Sequence, residues 1–214
     1  MNTENHTGKL ILIRHQESEW NKVGRWTGIR DIHLTELGFD RSNKVGLFIK
    51  FLNIPINKAF ASMQVRSIET LSCILNICEL YNTPTKHAEE LDERDYGDFT
   101  GNNKWEMEKI LGEDDFMKIR RSWDFIPPNG ESLKMVYDRV IPYFQKEILP
   151  LLNSGKNVLV VGHGNSLRSL LKYIENISDE DIANIEFDFN EIFIFDLDKD
   201  GKVLHKDMKK LSLE

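Results

Sequence analysis

Apolar residues recur along this chain in two rhythms. KLILIR (9–14), KAFAS (58–62) and NVLVVGH (157–163) are short continuous runs without helical spacing, and they read as buried strands. Between them the spacing lengthens. From Thr35 to Phe51, the residues Leu37, Val45, Phe48 and Ile49 recur near helical period, with Thr35 suited to cap the start. Helical period returns over 65–80 and over 103–120, with a break near Gly112. It returns again over 132–152, where Pro142 predicts a bend. GNSLRSLLKYI (164–174) sets Leu167, Leu170, Leu171 and Ile174 on one side of a further helix. HAEELDE (87–93) reads as a strand leading into a polar loop, and IPPNGES (126–132) as a turn. Ser178 and Asp181 have the spacing of a capping box for a short helix. EIFIFDLD (191–198) and KVLHK (202–206) read as paired strands around Lys199-Asp-Gly201.

Strands alternating with amphipathic helices predict a three-layer α/β/α arrangement with a mostly parallel central sheet. The 214 residues suit one core, so a single domain over 1–214 is expected, with the polar residues 1–8 flexible. In such sheets ligands bind beyond the carboxyl ends of the strands. Arg14-His15 ends the first strand and His163 another, which places both where this fold class puts chemistry.

Charge narrows the ligand. The net charge is −7, so no overall basic field recruits nucleic acid or an acidic membrane, and an anion must be held by clustered cations. Cys73 and Cys78 fit neither a zinc spacing nor Cys-x-x-Cys, and read as buried free thiols of a reducing compartment. No apolar run approaches the roughly 18 residues of a membrane span, so a soluble cytoplasmic protein is expected.

A neutral imidazole is a nucleophile or base near pH 7. Gly164-Asn165 opens a helix whose free N–H groups favour an anion. Arg14, Arg66, Arg94, Lys104, Arg120 and Arg121 all fall in loops or at element ends, and the arginine fork suits phosphate and carboxylate oxygens. Glu93, among these cations, is either a proton-handling acid or a surface partner of an arginine. There is no metal-ligand spacing and no P-loop.

The stretches LIRHQESEWN, RWTG, LDERDYGDFTGNNK, IRRSWD, PPNGESL and VVGHGNSLRSLLKYIENISDEDI together resemble the cofactor-dependent phosphoglycerate mutases of the histidine phosphatase superfamily, in order from Leu10 to Asp198. The resemblance implies a phosphoglycerate mutase-like fold and interconversion of 2- and 3-phosphoglycerate in glycolysis and gluconeogenesis. It implies priming by 2,3-bisphosphoglycerate, with no metal. It makes His15 the phosphorylated nucleophile, Glu93 the general acid/base, and His163, Arg14, Arg66 and Asn21 contacts of the transferring phosphoryl group. Ser18, Thr27, Gly28, Arg94, Tyr96, Lys104, Arg120, Arg121, Gly164 and Asn165 would surround the substrate, with Lys104 and the tandem arginines gripping its carboxylate or non-reacting phosphate.

Three departures bear on that expectation. Gln16 stands where the family has Gly after the histidine, and is expected to point out of the pocket or to hydrogen-bond near the phosphate. Phe189-Asn190-Glu191-Ile192 replaces a Thr-Gly-x-Pro turn. Only Asn129 separates Pro128 from Gly130, where many relatives carry an insertion, which leaves monomer and homodimer both open. The alternatives are a histidine-type phosphatase acting on small phosphoesters and a weakly active anion-binding scaffold.

Overall fold

The structure, a computed structural model, describes residues 7–212. Of the residues 1–8 expected to be flexible, 1–6 lie outside the described residues, whereas Thr7 and Gly8 are held: the Thr7 hydroxyl donates to the Leu197 carbonyl and the Gly8 N–H to the Leu152 carbonyl, both at 2.7 Å. Six strands form one sheet in the order β3-β2-β4-β1-β5-β6. They are β1 (Lys9–Arg14), β2 (Lys58–Ser62), β3 (Thr85–Ala88), β4 (Val158–Gly162), β5 (Glu191–Leu197) and β6 (Val203–Lys210). The pairs β3–β2, β2–β4 and β4–β1 are parallel, whereas β5 runs antiparallel to both its neighbours.

The helices follow the alternation of the sequence. They are α1 (Glu19–Lys22), α2 (Glu36–Leu52), α3 (Val65–Ile77), α4 (Lys104–Leu111), α5 (Glu113–Arg121), α6 (Leu133–Tyr143), α7 (Leu149–Asn153) and α8 (Gly164–Glu175). Thr35 does cap α2, its hydroxyl accepting the Gly38 N–H at 2.9 Å. Successive strand residues face opposite sides. Leu10, Leu12, Phe60, Val158 and Val160 face one layer, packed under α6, α7 and α8 through Val136, Val140, Leu152, Leu167 and Leu170. Ile11, Ile13, Ala59, Leu159 and Val161 face the other, under α2 and α3 through Val45, Ile49, Leu71 and Ile74. Each such side chain gains about 1.5–3 kcal/mol by leaving water. Both faces of β1 and β4 are apolar because both are covered, so these strands read as continuous runs.

Three local readings change. The strand expected over 87–93 lies earlier, at Thr85–Ala88, and Glu89–Leu91 form a 3-10 turn. This strand sits at the sheet edge with only Ala88 fully buried, so its apolar signal is weak. The helix expected over 132–152 is interrupted after Pro142 by a π-turn at Phe144–Ile148. Proline has no N–H to donate and its ring crowds the preceding turn, which is a known cause of such widening. Cys73 and Cys78 are free but only partly buried. No helix of the described residues is long and apolar enough to cross a membrane.

The topology brings distant residues to one edge. Arg14 pairs with Gly162, and the His15 N–H donates to the Gly162 carbonyl at 2.9 Å. The first residues beyond β1 and β4 are therefore neighbours. Ser62 ends β2 on the other side of β4, and Arg66 lies in the first turn of α3.

Candidate active site

His15 and His163 lie side by side at the carboxyl edge, with ring centroids 4.8 Å apart, and both are buried. The His15 Nδ1 lies 2.7 Å from the Gln16 carbonyl oxygen. A carbonyl only accepts, so Nδ1 carries the proton and Nε2 keeps its lone pair. Arg66 agrees, since its Nε–H points at Nε2 from 3.3 Å. Burial, followed by the charges of Arg66 and Arg14, holds the His15 pKa well below the usual imidazole value. The ring is therefore neutral at pH 7 with a free nitrogen.

His163 is fully buried just beyond the end of β4. Its Nε2 lies 2.7 Å from the Ser62 hydroxyl, and burial keeps its pKa well below the ordinary value, with Arg66 next in effect. Its Nδ1 is buried and has no partner.

Arg66 is fully buried and fixed on three sides. Its Nη1 donates to the Arg30 carbonyl at 2.8 Å, and its Nη2 to the Gly28 carbonyl at 3.0 Å. Gly28 has φ +53°, and a side chain there would press on the Thr100 hydroxyl, so glycine suits the turn that aims this carbonyl. Burial lowers the Arg66 pKa to about 10, which leaves it charged at neutral pH.

Glu93 is held from several sides. Its Oε1 accepts the Arg94 N–H at 2.8 Å, the Asn165 N–H at 3.1 Å and the Asn165 Nδ2 at 2.9 Å. These three bonds all fall on one oxygen. The Asn165 N–H belongs to the first turn of α8, where unpaired backbone donors favour negative charge. Asn165 also donates to the Tyr96 hydroxyl at 3.0 Å.

These groups open onto a cleft of about 240 Å³ lined by Arg14, Glu93, Tyr96, Lys104, Arg120, Arg121, Gly164 and Asn165. An inner recess of about 50 Å³ continues from it to His15, Asn21, Thr27, Gly28 and Arg66. The volume lies below the ~300 Å³ lower bound of drug-sized pockets, so the occupant is small. The cleft sets five cations against three carboxylates in a chain of net charge −7. The crowding shows in Lys104, whose pKa falls to about 8 through burial and then the charges of Arg14 and Arg120. Arg14 Nε, Arg168 Nε, the Thr27 hydroxyl and His163 Nδ1 are all buried without partners.

Fourteen of the sixteen residues anticipated from sequence meet in this region: thirteen line the cleft or its recess, and His163 lies behind His15. Ser18 and Arg94 do not reach the cleft. Ser18 caps α1 and donates to Asn21 Oδ1 at 2.8 Å, so it orients Asn21. Arg94 is fully buried, donates to the Ile119 carbonyl and lies 4.5 Å from the centre of the Tyr96 ring, so it supports Tyr96 and α5.

Trp26, Arg168, Glu186, Phe187 and Asp188 line the cleft without having been anticipated. Arg168 had a legible signal, because it lies one helical turn after Gly164 and Asn165 and donates to Asn165 Oδ1 at 3.1 Å. The residues 186–188 had none, since only the antiparallel placing of β5 brings their loop to Arg14. Glu186 is ion-paired with Arg121 and lies 4.0 Å from Arg120. Among the described residues no group of three His, Cys, Asp or Glu could hold a metal.

Comparison with known proteins identifies the family. Residues 10–207 match the model of the histidine phosphatase superfamily, branch 1. A 2,3-bisphosphoglycerate-dependent phosphoglycerate mutase of Parvibaculum lavamentivorans is 40% identical over 199 residues, covering 93% of this chain and 95% of its own. A phosphoglycerate mutase of Schizosaccharomyces pombe is 38% identical, covering 97% of this chain and 99% of its own. Among solved structures, YhfR of Bacillus stearothermophilus superposes with a TM-score of 0.82 over 96% of this chain and 98% of its own, at 22% identity, which speaks to the fold.

Proposed function

We propose, from the premise that the chain belongs to the histidine phosphatase superfamily and from the makeup of its cleft, that it interconverts 2- and 3-phosphoglycerate through a phosphohistidine on His15 Nε2. The observation that carries the reading is the set of buried donors without acceptors around a neutral, tautomerically fixed His15. Buried polar groups are normally satisfied, so donors left open in one cleft call for a ligand rich in acceptor oxygens. A phosphate ester with a carboxylate meets that need.

The residues divide the work. The His15 lone pair attacks phosphorus, while Arg14, Arg66 and the His163 Nδ1–H take the charge of the equatorial oxygens. For Nδ1 to donate, Nε2 must accept, so the Ser62 hydroxyl donates to it and fixes the tautomer. Glu93 takes the proton from the acceptor hydroxyl and returns it in the reverse direction. Lys104, Arg120 and Arg121 hold the carboxylate or the second phosphate, with Tyr96 and Asn165 beside them.

2,3-Bisphosphoglycerate fits the same donors, with two phosphates and a carboxylate for the cationic excess, and it supplies the phosphoryl group that primes His15. This reaction belongs to carbohydrate metabolism, and the compartment proposed for it is the cytoplasm.

The test is a reaction with 3-phosphoglycerate, with and without catalytic 2,3-bisphosphoglycerate, following 2-phosphoglycerate and free phosphate. Stimulated isomerisation with little phosphate release is expected. Phosphate release without isomerisation makes the protein a phosphatase, and no change in either channel makes it a binding scaffold.

A further inference from the structure

Two of the three departures noted in the sequence meet in space. Gln16 and Phe189 are 173 residues apart, yet the Gln16 amide Nε2 donates to the Phe189 carbonyl at 2.8 Å. The sheet explains why. Ile13 pairs with Ile192 in the antiparallel β1–β5 ladder, and the same register continued beyond the strands sets residue 16 opposite residue 189. Gln16 is fully buried and lines neither the cleft nor its recess. Its Nε2 also donates to the Arg14 carbonyl at 3.1 Å, and its N–H to the Thr70 hydroxyl at 3.0 Å.

Phe189 returns the contact. Its ring centre lies 4.0 Å from the Arg14 guanidinium carbon, and it makes a T-shaped contact with the His15 ring, centroids 5.9 Å apart. The same loop takes a second hold on Arg14, whose Nη1 donates to the Phe187 carbonyl at 2.8 Å. Phe187 is itself buried against Phe193, with centroids 4.7 Å apart, so that carbonyl is anchored in the core. Arg14 and Gln16, two residues apart on extended chain, thus reach the same loop from the same side.

We propose that Gln16 and Phe189 act as one positioning clamp, which sets the Arg14 guanidinium and covers the His15 ring. This decides how often a phosphoryl group on His15 is lost to water rather than passed to a sugar-acid hydroxyl. The inference rests on the reading that His15 is phosphorylated. In the loss reaction a water oxygen bonds to phosphorus as the P–Nε2 bond breaks. The electron pair returns to Nε2, the water proton passes to solvent, and inorganic phosphate leaves. A glycine at position 16 has no side-chain amide to hold the loop, and a threonine at 189 has no ring to lay on Arg14. The two residues therefore serve one purpose and are expected to be energetically coupled.

The test uses Gln16→Met, which keeps the volume and removes the donor, and Phe189→Leu, which removes the ring, together with the double variant. The half-life of phosphate label on His15 is measured, alongside phosphate released per isomerisation. A hydrogen bond or a cation–π contact of ~1 kcal/mol corresponds to about a fivefold shorter half-life in each single variant. The double variant is expected to lie within about twofold of the worse single variant, not at the product of the two. Phe189→Tyr keeps the ring and is expected to restore the lifetime. Unchanged lifetimes in both single variants, or losses that multiply in the double, overturn the clamp. If the wild-type protein takes no label, the reading of His15 fails. The clamp is then judged by orthovanadate affinity, expected to weaken about fivefold in each single variant, and overturned if it does not.

Discussion

Lys104 gives the account a pH dependence that the wild-type protein should show and one substitution should abolish. Its ammonium group sits at the start of α4, partly desolvated and facing Arg14, Arg120 and Arg121, which brings its pKa to about 8. An anion in the cleft reverses that repulsion, so binding favours the protonated form. With a free-protein pKa of about 8, roughly nine-tenths of Lys104 is charged at pH 7 and roughly one-tenth at pH 9. Between those values kcat/KM should fall about tenfold, because the competent form falls by that factor. Unfolding through this group does not explain such a loss. The unfolded lysine titrates near 10.5, so between pH 8 and 10.5 the unfolded chain binds the extra proton, and Lys104 adds stability as pH rises. The assay is kcat/KM from pH 6.5 to 9.5 for wild type, Lys104→Arg and Lys104→Met, with circular dichroism recorded at each pH. Lys104→Arg stays charged and should lose the alkaline limb near pH 8. Lys104→Met should lack the limb and start about 10- to 150-fold lower, the cost of one charge-assisted hydrogen bond of roughly 1.5–3 kcal/mol. An unshifted limb in Lys104→Met would refute the reasoning.

Three further substitutions test other parts of the site. Glu93→Gln keeps an oxygen for the three donors at Oε1 but cannot carry the proton, so kcat should fall by about 10²–10⁴ with the fold intact by circular dichroism. Ser62→Ala removes the partner of His163 Nε2 in a fully buried place, and calorimetry should show a loss of about 1–3 kcal/mol. Its kcat should fall with KM little changed, because the tautomer of His163 acts on the transferring group. Glu186→Gln frees Arg120 and Arg121 from a competing carboxylate that is itself half exposed, so KM should drop about two- to fivefold, the worth of an exposed pair.

The parts of the fold that could be read in advance are those with burial on both sides or on one clean stripe. Val158–Gly162 is buried throughout, and α8 buries Leu167, Leu170, Leu171 and Ile174, so each announces itself by composition or period. The edge strand β3 has two exposed positions, one half-buried and one buried over four residues, which carries little signal. Helix α1 has four residues and buries none of them, and it is held by its Ser18 cap. The π-turn after Pro142 depends on hydrogen-bond register, which composition does not carry.

The site divides in the same way. Arg14, His15 and His163 were legible because they follow strands whose carboxyl ends face one edge. Glu186, Phe187 and Asp188 were not, because their loop is brought to Arg14 by strand order. Ser18 and Arg94 carry the right chemistry in the right stretches, but backbone direction turns both away, and each supports a neighbour instead. In the sequence Gln16 is a departure at a single position. Only the register of β1 against β5 shows that it belongs with Phe189.

The central claim is that His15 Nε2 carries the phosphoryl group between one substrate and the next. It is tested most directly by mixing the protein with labelled 2,3-bisphosphoglycerate, quenching within milliseconds, and locating the label by peptide mass analysis under alkaline conditions. The account predicts label on His15 alone, lost when unlabelled 3-phosphoglycerate is added before the quench and absent in His15→Ala. Label on another residue, or isomerisation that persists in His15→Ala, would contradict it.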